Sequence, residues 1–211
     1  MNDGTQTETD TADLRAARAE NGTAGTGAAA PTESGTPGLG AAVPTDMAGL
    51  SEAVRTVLAA LRERGVAPEV RTFAGAVPTA AAAAERLGCE VGAIANSLVF
   101  AAPGAGPDGE PEPVLVLTSG AHRVDTKRVA ALLGVPKLKR ATPEQVYAAT
   151  GQRVGGCAPV GHPRPLRTVV DIRLGDYDVV WAGAGDEHTM HATTLHDQTR
   201  HTTGTIAEVG D

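Results

Sequence analysis

The sequence is poor in aromatic side chains, cysteines and long apolar runs, and each shortage excludes a class of protein. Phe, Tyr and Trp together supply 2% of the 211 residues, so a core must be built from aliphatic side chains. Two cysteines, Cys89 and Cys157, are too few for a disulfide framework. No apolar run approaches the roughly 20 residues that a membrane-spanning helix needs, and the first residues do not resemble a secretory signal. We therefore expect a globular protein of the cytoplasm.

Positive charge is also scarce overall, but it is concentrated in one segment. The formal net charge of -7 argues against a protein that binds nucleic acid over its whole surface. Residues 123–173 nevertheless carry ten Lys and Arg against three Asp and Glu, whereas the stretches on either side are acidic. Two interpretations stay open for this basic segment. It is either a solvated face balanced by acidic neighbours or a local patch for a polyanion.

The first 46 residues differ in composition from the rest of the chain. They are rich in Thr, Ala, Gly, Glu and Pro and have almost no large apolar side chains. Such a segment cannot bury enough apolar surface to offset the entropy that it would lose on ordering. The sequence therefore predicts a disordered acidic tail at residues 1–46 and one folded domain at residues 47–211.

Apolar periodicity, capping residues and turn residues predict the elements of the domain. Helices are predicted at Leu50–Leu61, Thr79–Leu87, Asp125–Leu133 and Thr142–Thr150, each followed by a glycine. One hairpin is predicted to join Ser97–Ala102 to Val114–Thr118, and a second to join Thr168–Leu174 to Tyr177–Ala182 about Gly175-Asp176. A polar, histidine-rich stretch and a terminal strand at Thr205–Val209 follow. Interspersed helices and hairpins predict a mixed, largely antiparallel sheet with helices against it.

The most unusual segment runs from Val154 to Pro163. Three glycines and two prolines lie within nine positions of it. Glycine lets backbone N–H groups approach a ligand closely, and proline stiffens a loop, so the pair can direct amides toward a carbonyl oxyanion. A tight connection between strands is the alternative interpretation. A phosphate-binding P-loop is excluded because the Gly-Lys-Ser/Thr ending is absent.

Two further residues carry chemistry that the sequence leaves in doubt. Asp171 lies in the middle of an apolar run, where we interpret it as a buried ion-pair partner rather than a pocket acid. Cys157 lies within the glycine-rich loop, but the sequence identifies no base that would activate its thiol. We therefore do not expect Cys157 to act as a nucleophile.

Several segments, in this order and spacing, resemble the YbaK/prolyl-tRNA-synthetase-associated domain, a family of aminoacyl-tRNA deacylases. The segments that carry the resemblance are Thr79–Gly88, Ile94–Phe100, Val114–Gly120, Arg123–Asp125 and Gly155–His162. The last contains the family's Gly-x-x-x-Pro signature, from Gly155 to Pro159. The resemblance extends from about Ser51 to Val209. It implies an α+β fold with a largely antiparallel, partly closed mixed sheet surrounded by helices.

The resemblance also implies hydrolysis of the ester that joins a small, wrong amino acid to the 3′ end of tRNA. A positioned water attacks the ester, and backbone amides of the glycine-rich loop hold the developing oxyanion. The residues implied in catalysis are Gly155, Gly156, Pro159 and His188. Those expected to bind substrate are Asn96, Ser97, Ser119, Gly120, Cys157, Ala158 and His162. From the basic segment, we expect Arg123, Lys127, Arg164 and Arg167 to meet the phosphates of the tRNA acceptor end. An aminoacyl-tRNA synthetase is a second candidate partner, and no cofactor is expected.

Two departures from the family's pattern keep an alternative function open. Asn96 stands where family members commonly have a lysine, so it can donate a hydrogen bond but brings no charge. Polar residues also replace apolar or acidic ones near the C-terminus, which predicts a last helix that is poorly packed or absent; these are His191, His196, Gln198 and His201. The spacing of these histidines does not favour a metal site. The alternative is a catalytically weak or inactive module of the same fold that binds tRNA or an aminoacyl ligand.

Overall fold

Side-chain caps decide where the helices begin. The Thr79 hydroxyl accepts the N–H of Ala82, and Thr142 forms a reciprocal capping box with Gln145. The computed structural model describes residues 49–210, so the predicted tail at residues 1–46 lies outside the described residues. The helices found there are α1 (Glu52–Glu63), α2 (Ala80–Leu87), α3 (Thr126–Leu133), α4 (Pro143–Thr150) and α5 (Leu195–Thr202). None of these helices is both long and apolar enough to cross a membrane.

Eight strands form one mixed sheet in this part of the chain. They are β1 (Val70–Thr72), β2 (Ile94–Ala102), β3 (Glu112–Ser119), β4 (Lys139–Arg140), β5 (Arg167–Asp171), β6 (Val180–Gly183), β7 (Thr189–Thr193) and β8 (Thr205–Ala207). The strands lie in the order β1-β7-β6-β2-β3-β5-β8, and β4 also pairs with β2. The pairs β1–β7, β6–β7, β2–β3 and β2–β4 are antiparallel, whereas β2–β6, β3–β5 and β5–β8 are parallel. The predicted mixed sheet with helices and the first predicted hairpin are confirmed.

The second predicted hairpin is wrong. β5 runs parallel to both β3 and β8, and residues 172–176 form a 3-10 helix instead of a two-residue turn. β6 lies between β2 and β7 elsewhere in the sheet. Val169 and Val170 are fully buried. Pairing with β3 and β8 covers both edges of β5, whereas a local hairpin with β6 would cover only one.

The last helix is present, so the absence that the sequence left open is wrong, whereas the alternative of a poorly packed helix is not contradicted. The Thr194 hydroxyl accepts the N–H of Asp197 and caps α5, so a local polar contact starts the helix without an apolar pattern. The helix buries Gln198 and His201, and His191 is buried on the neighbouring strand β7. Polar side chains therefore occupy inward positions where sequence analysis expects apolar ones.

The core covers both faces of the β2–β3 hairpin. On one face, Leu115, Leu117 and Val99 pack with Cys157 of the glycine-rich loop. On the other face, Val114 and Val116 belong to a second cluster that includes buried residues of α3. The hairpin is thus the rigid support from which the neighbouring loops are positioned.

Candidate active site

The central strand β2 is paired along one edge and only at its ends along the other. β3 pairs with residues 95–102 on the first edge. On the second edge, β6 pairs with residues 94 and 95, and β4 pairs with residues 100 and 101. No strand within residues 49–210 covers residues 96–99 there. This uncovered stretch is called the β2 opening below.

The strand register determines which backbone groups face the β2 opening. Gly120 donates to the carbonyl oxygen of Ile94 at 2.7 Å, so even-numbered β2 residues exchange hydrogen bonds with β3. Ser97 and Val99 therefore direct their backbone groups toward the opening, where the carbonyl of Val99 accepts the N–H of Ala141. The Ser97 Oγ is buried and has no partner among the described residues. Ser97 thus directs a backbone donor and a backbone acceptor toward the β2 opening, and the residue lines the cavity described next.

A cavity of about 670 Å³ lies at the β2 opening. This volume is within the range of small-molecule sites, roughly 300–1,000 Å³. Its walls come from β2, the start of α2, the segment between β3 and α3, and the loop that follows α4. Its lining includes Asn96, Ser97, His122, Arg123, Gly155 and Cys157.

Hydrogen bonds from the Gln152 side chain and from Gly185 hold the glycine-rich loop, and two of its amides have no acceptor within residues 49–210. The Gln152 side chain donates to the carbonyl of Val160 at 3.0 Å and accepts the N–H of Ala158 at 2.6 Å. The carbonyl of Gly156 accepts the N–H of Gly185 at 2.8 Å, and a Cβ at Gly156 would overlap the Asp186 backbone. The N–H groups of Gly155 and Cys157 donate to no group of residues 49–210.

A buried carboxylate lies where β3 and β5 end, and it holds the cavity wall at the end of β3. Asp171 is fully buried and accepts the N–H of Ser119 at 3.0 Å and the hydroxyl of Thr118 at 3.3 Å. The same carboxylate contacts His122 Nδ1 at 3.1 Å and accepts the N–H of Arg173 at 3.1 Å. Asp171 is thus the buried pair partner that sequence analysis favoured, and its partner His122 lines the cavity.

The structure brings together part of the predicted set of site residues. Those that line the cavity are Asn96, Ser97, Arg123, Gly155, Gly156 and Cys157. Those that lie outside its wall are Pro159, His188, Ser119, Gly120, Ala158, His162, Lys127, Arg164 and Arg167. Several of the latter have structural contacts: the Ser119 hydroxyl donates to the carbonyl of Gly92, and His162 Nε2 contacts the carbonyl of Ala158 at 2.9 Å. The His188 side chain is 42% exposed and lies 3.5 Å from the Glu187 carboxylate.

The ten bases of the basic segment do not form one continuous patch at the cavity. Arg123 and Arg140 line it, and Lys127 is exposed in the first turn of α3. Arg164 is exposed on the loop before β5, whereas Arg167 contacts the carbonyl of Leu133 at 2.5 Å and the Glu112 carboxylate at 3.7 Å. Positive charge thus reaches the cavity from the segment before α3 and from β4.

Burial controls the two titratable groups of the glycine-rich loop. Burial raises the pKa of the Cys157 thiol to about 11, so the thiolate is scarcely populated at neutral pH. Burial also lowers the pKa of His162, which favours a neutral ring beside the Ala158 carbonyl. Within residues 49–210, no group of three or more His, Cys, Asp or Glu is arranged to hold a metal ion.

Sequence analysis missed His122 and Arg140 as lining residues. His122 follows the recognisable segment Ser119-Gly120 by two positions, but its partner Asp171 is 49 residues away along the chain. Arg140 reaches the cavity because β4 pairs with β2, and a two-residue strand leaves little periodic signal. For His122, the available signal in the sequence was its partner Asp171, an acid within an apolar run.

Comparison with known proteins gives one match to a family model and several similar chains. The model of the aminoacyl-tRNA editing domain matches residues 74–200. A proline--tRNA ligase of Nitratidesulfovibrio vulgaris is 34% identical over 113 residues, which are 53% of this chain and 18% of the ligase. EbsC of Enterococcus faecalis, a candidate Cys-tRNA(Pro)/Cys-tRNA(Cys) deacylase, is 29% identical over 107 residues, which are 51% of this chain and 62% of EbsC. The chain therefore spans less than a fifth of the first ligase and most of the smaller relative.

Solved structures show the same architecture. A crystal structure of a candidate trans-editing enzyme for prolyl-tRNA synthetase superposes with a TM-score of 0.69 at 36% sequence identity. The match covers 77% of this chain and 99% of that one. A second crystal structure, of the protein APE2540, gives a TM-score of 0.66 at 26% identity over 74% of this chain.

Proposed function

The chain belongs to the aminoacyl-tRNA editing domain family, and on that premise we propose that it hydrolyses the ester of a mischarged aminoacyl-tRNA. The proposed reaction removes a small, wrong amino acid from tRNA in trans. The observation that carries this proposal is the pinned glycine-rich loop, whose two unused amides lie at the wall of a cavity of substrate size. Such preorganised donors suit a carbonyl that gains negative charge during hydrolysis.

In the proposed mechanism, water is the nucleophile and the glycine-rich loop stabilises the oxyanion. Attack on the ester carbonyl gives a tetrahedral intermediate whose oxygen accepts the N–H groups of Gly155 and Cys157. The Cys157 thiol does not attack, because its raised pKa keeps it protonated. Gln152 holds the loop in place from the opposite side, so the donors need no reorganisation as charge develops.

The β2 opening would bind the aminoacyl group. Ser97 offers a backbone donor and acceptor as well as a buried hydroxyl, and Asn96 lines the same cavity. Val99, Val146 and Cys157 belong to the packed core and also line the cavity, so they form a firm apolar boundary. A rigid boundary of this kind selects small side chains by excluding larger ones.

Arg123, Arg140 and Lys127 would receive the phosphates of the tRNA 3′ end. Arg123→Glu should raise the apparent KM for tRNA and flatten its dependence on salt, because one phosphate contact is lost. Lys137→Glu is the matched control, since Lys137 is exposed and outside the cavity wall. Equal effects of both reversals would contradict a local phosphate site. Because this chain resembles a part of proline--tRNA ligases, a separate synthetase is the second proposed partner.

The decisive experiment is deacylation of a panel of mischarged tRNAs. We expect turnover on esters of small amino acids and its loss in Gly156→Val, whose side chain would displace the loop from the Asp186 backbone. Gly75→Ala is the control, because a Cβ there meets only the end of the Arg86 side chain at ordinary contact distance. Circular dichroism of Gly156→Val separates a displaced loop from an unfolded chain.

A non-catalytic binding module is the second candidate function, and Asn96 is the observation that favours it. The neutral amide brings no charge to the cavity at a position where similar domains commonly carry a lysine. Binding of mischarged tRNA without turnover on any ester of the panel would select this alternative. Turnover on one ester would reject it.

A further inference from the structure

His122 is the one histidine of residues 49–210 whose side chain lines the cavity. Its side chain is 15% exposed, and its Nδ1 lies 3.1 Å from the Asp171 carboxylate. Asp171 itself is immobilised by the N–H groups of Ser119 and Arg173 and by the Thr118 hydroxyl. The imidazole is therefore anchored at one nitrogen by an acceptor that cannot rotate away.

This anchoring fixes the chemistry of the other nitrogen. A carboxylate acceptor requires Nδ1 to carry the hydrogen, so in the neutral ring Nε2 has the lone pair. An imidazole oriented in this way by a buried acid is the usual form of a general base. The glycine-rich loop with its two unused amides lines the same cavity, so a proton acceptor and oxyanion donors share one space.

We propose that His122 is the general base of the hydrolysis and that Asp171 is its positioning residue, an inference that rests on the proposed function. His122 Nε2 takes a proton from the attacking water as the water oxygen bonds to the ester carbonyl carbon. The tetrahedral intermediate then collapses, the bond from carbon to the ribose oxygen breaks, and that oxygen takes the proton from the imidazolium. The products are the free amino acid and tRNA with its terminal hydroxyl, and His122 is neutral again.

The position of His188 makes it a poorer base for this step. His188 lies outside the cavity wall, and its ring contacts the exposed carboxylate of the adjacent Glu187. Sequence analysis selected His188 through the family resemblance, whereas the Asp171 contact and the cavity select His122. The Asp171 carboxylate contacts the His122 ring, and Arg123 is its neighbour in the chain. The other charged residues of the same cavity wall are Arg140, Asp186 and Glu187, and the backbone N–H of Arg173 also donates to Asp171.

His122→Asn tests the proposal while preserving the fold. The Asn amide can still donate to Asp171 from about the position of Nδ1, but nothing replaces Nε2. We expect kcat for deacylation to fall about 100-fold or more, as for loss of a general base, with little change in KM. The pH profile of kcat should differ between the wild type and this variant, because the variant has no imidazole at this position. His196→Gln, which changes an exposed histidine of α5, is the matched control and should keep full activity.

Two further measurements separate proton transfer from a structural role. Added imidazole should restore part of the activity of His122→Gly, which a purely structural defect would not allow. Asp171→Asn should lower kcat and shift the pH profile without abolishing tRNA binding, as expected of a positioning residue. A wild-type kcat and pH profile in His122→Asn would overturn the inference, whereas no turnover by the wild-type protein would overturn the proposed function itself.

Discussion

Two clusters of polar side chains are buried in this domain, and they are satisfied to different degrees. Around Asp171, the carboxylate accepts four donors and the cluster adjoins the cavity. Between β7 and α5, His191 Nδ1 and both side-chain polar atoms of Gln198 have no partner among residues 49–210. The first cluster fixes geometry where chemistry is proposed, and the second places unsatisfied polar groups in the interior, where they cost stability. Buried polarity alone therefore does not mark a site.

Removal of the Asp171 carboxylate should have the largest effect on folding. Asp171→Ala leaves two backbone N–H groups, a hydroxyl and an imidazole without their acceptor, so we expect the free energy of unfolding to fall by about 3–5 kcal/mol. Urea denaturation measures this change. Asp176→Ala is the control, because its carboxylate is exposed and pairs only with Arg173, and such pairs contribute under about 1 kcal/mol. A loss below about 1 kcal/mol for Asp171→Ala would show that the cluster is not a structural anchor.

Acidification should act on the second cluster. Burial lowers the pKa of His191 to about 4, whereas an unfolded histidine titrates near 6.5. The unfolded state therefore binds a proton first, and stability is lost as the pH falls from about 6.5 to about 4. The full loss attributable to this ring is about 3 kcal/mol.

His191→Leu tests the assignment of that acid sensitivity. The variant removes the titrating ring and keeps a buried side chain, so its free energy of unfolding should vary less over the same pH range. Thermal denaturation at several pH values provides the comparison, with His196→Leu as the control at an exposed position. Parallel pH curves for the wild type and His191→Leu would assign the sensitivity to other groups.

Two buried glutamines offer a matched pair. The Gln152 side chain makes two hydrogen bonds to the glycine-rich loop, whereas the Gln198 side chain makes none with residues 49–210. Gln152→Leu should lower the free energy of unfolding by about 2 kcal/mol, because the Ala158 N–H and the Val160 carbonyl lose their partners. Gln198→Leu should raise it by about 1 kcal/mol, because a desolvated amide is replaced by an apolar group. Equal changes in the free energy of unfolding for the two substitutions would show that the hydrogen bonds of a buried glutamine side chain do not decide its contribution to stability.

Ser97→Ala should have the smallest effect on folding. Its hydroxyl is buried without a partner, like the amide of Gln198, but it lies at the cavity. We expect the free energy of unfolding to change by less than about 0.5 kcal/mol, while the KM for the aminoacyl ester rises several-fold through loss of one hydrogen bond. Thr199→Ala is the control, because this hydroxyl donates to the carbonyl of Leu195 within α5 and lies outside the cavity wall, so KM should not change. An unchanged KM in Ser97→Ala would show that the hydroxyl does not meet the substrate.

Local chemistry was predictable from the sequence, and long-range pairing was not. The caps at Thr79, Asp125 and Thr142 each depend on donors three residues away or fewer, so their helices could be assigned directly. The partners of β5 and the approach of Asp171 to His122 depend on residues about 50 positions away, which no local pattern encodes. Composition and resemblance predicted a site at the loop from Gly155, whereas no local pattern predicted the β2 opening, which exists because β6 and β4 stop short of each other.

The pairing of β2 with β6 has a consequence for how the protein is made. Residue 94 meets residue 181, and β1 meets β7 at residues 70 and 191, so both contacts join distant parts of the chain. Contacts between residues so far apart in the sequence form slowly, because closing the long intervening loop costs entropy before the contact contributes any stabilisation. On a ribosome, the cavity walls from residue 77 to residue 190 cannot assemble until residue 190 has emerged. A nascent chain that stalls before β6 would have the β2–β3 hairpin and the glycine-rich loop, but no closed pocket in which to use them.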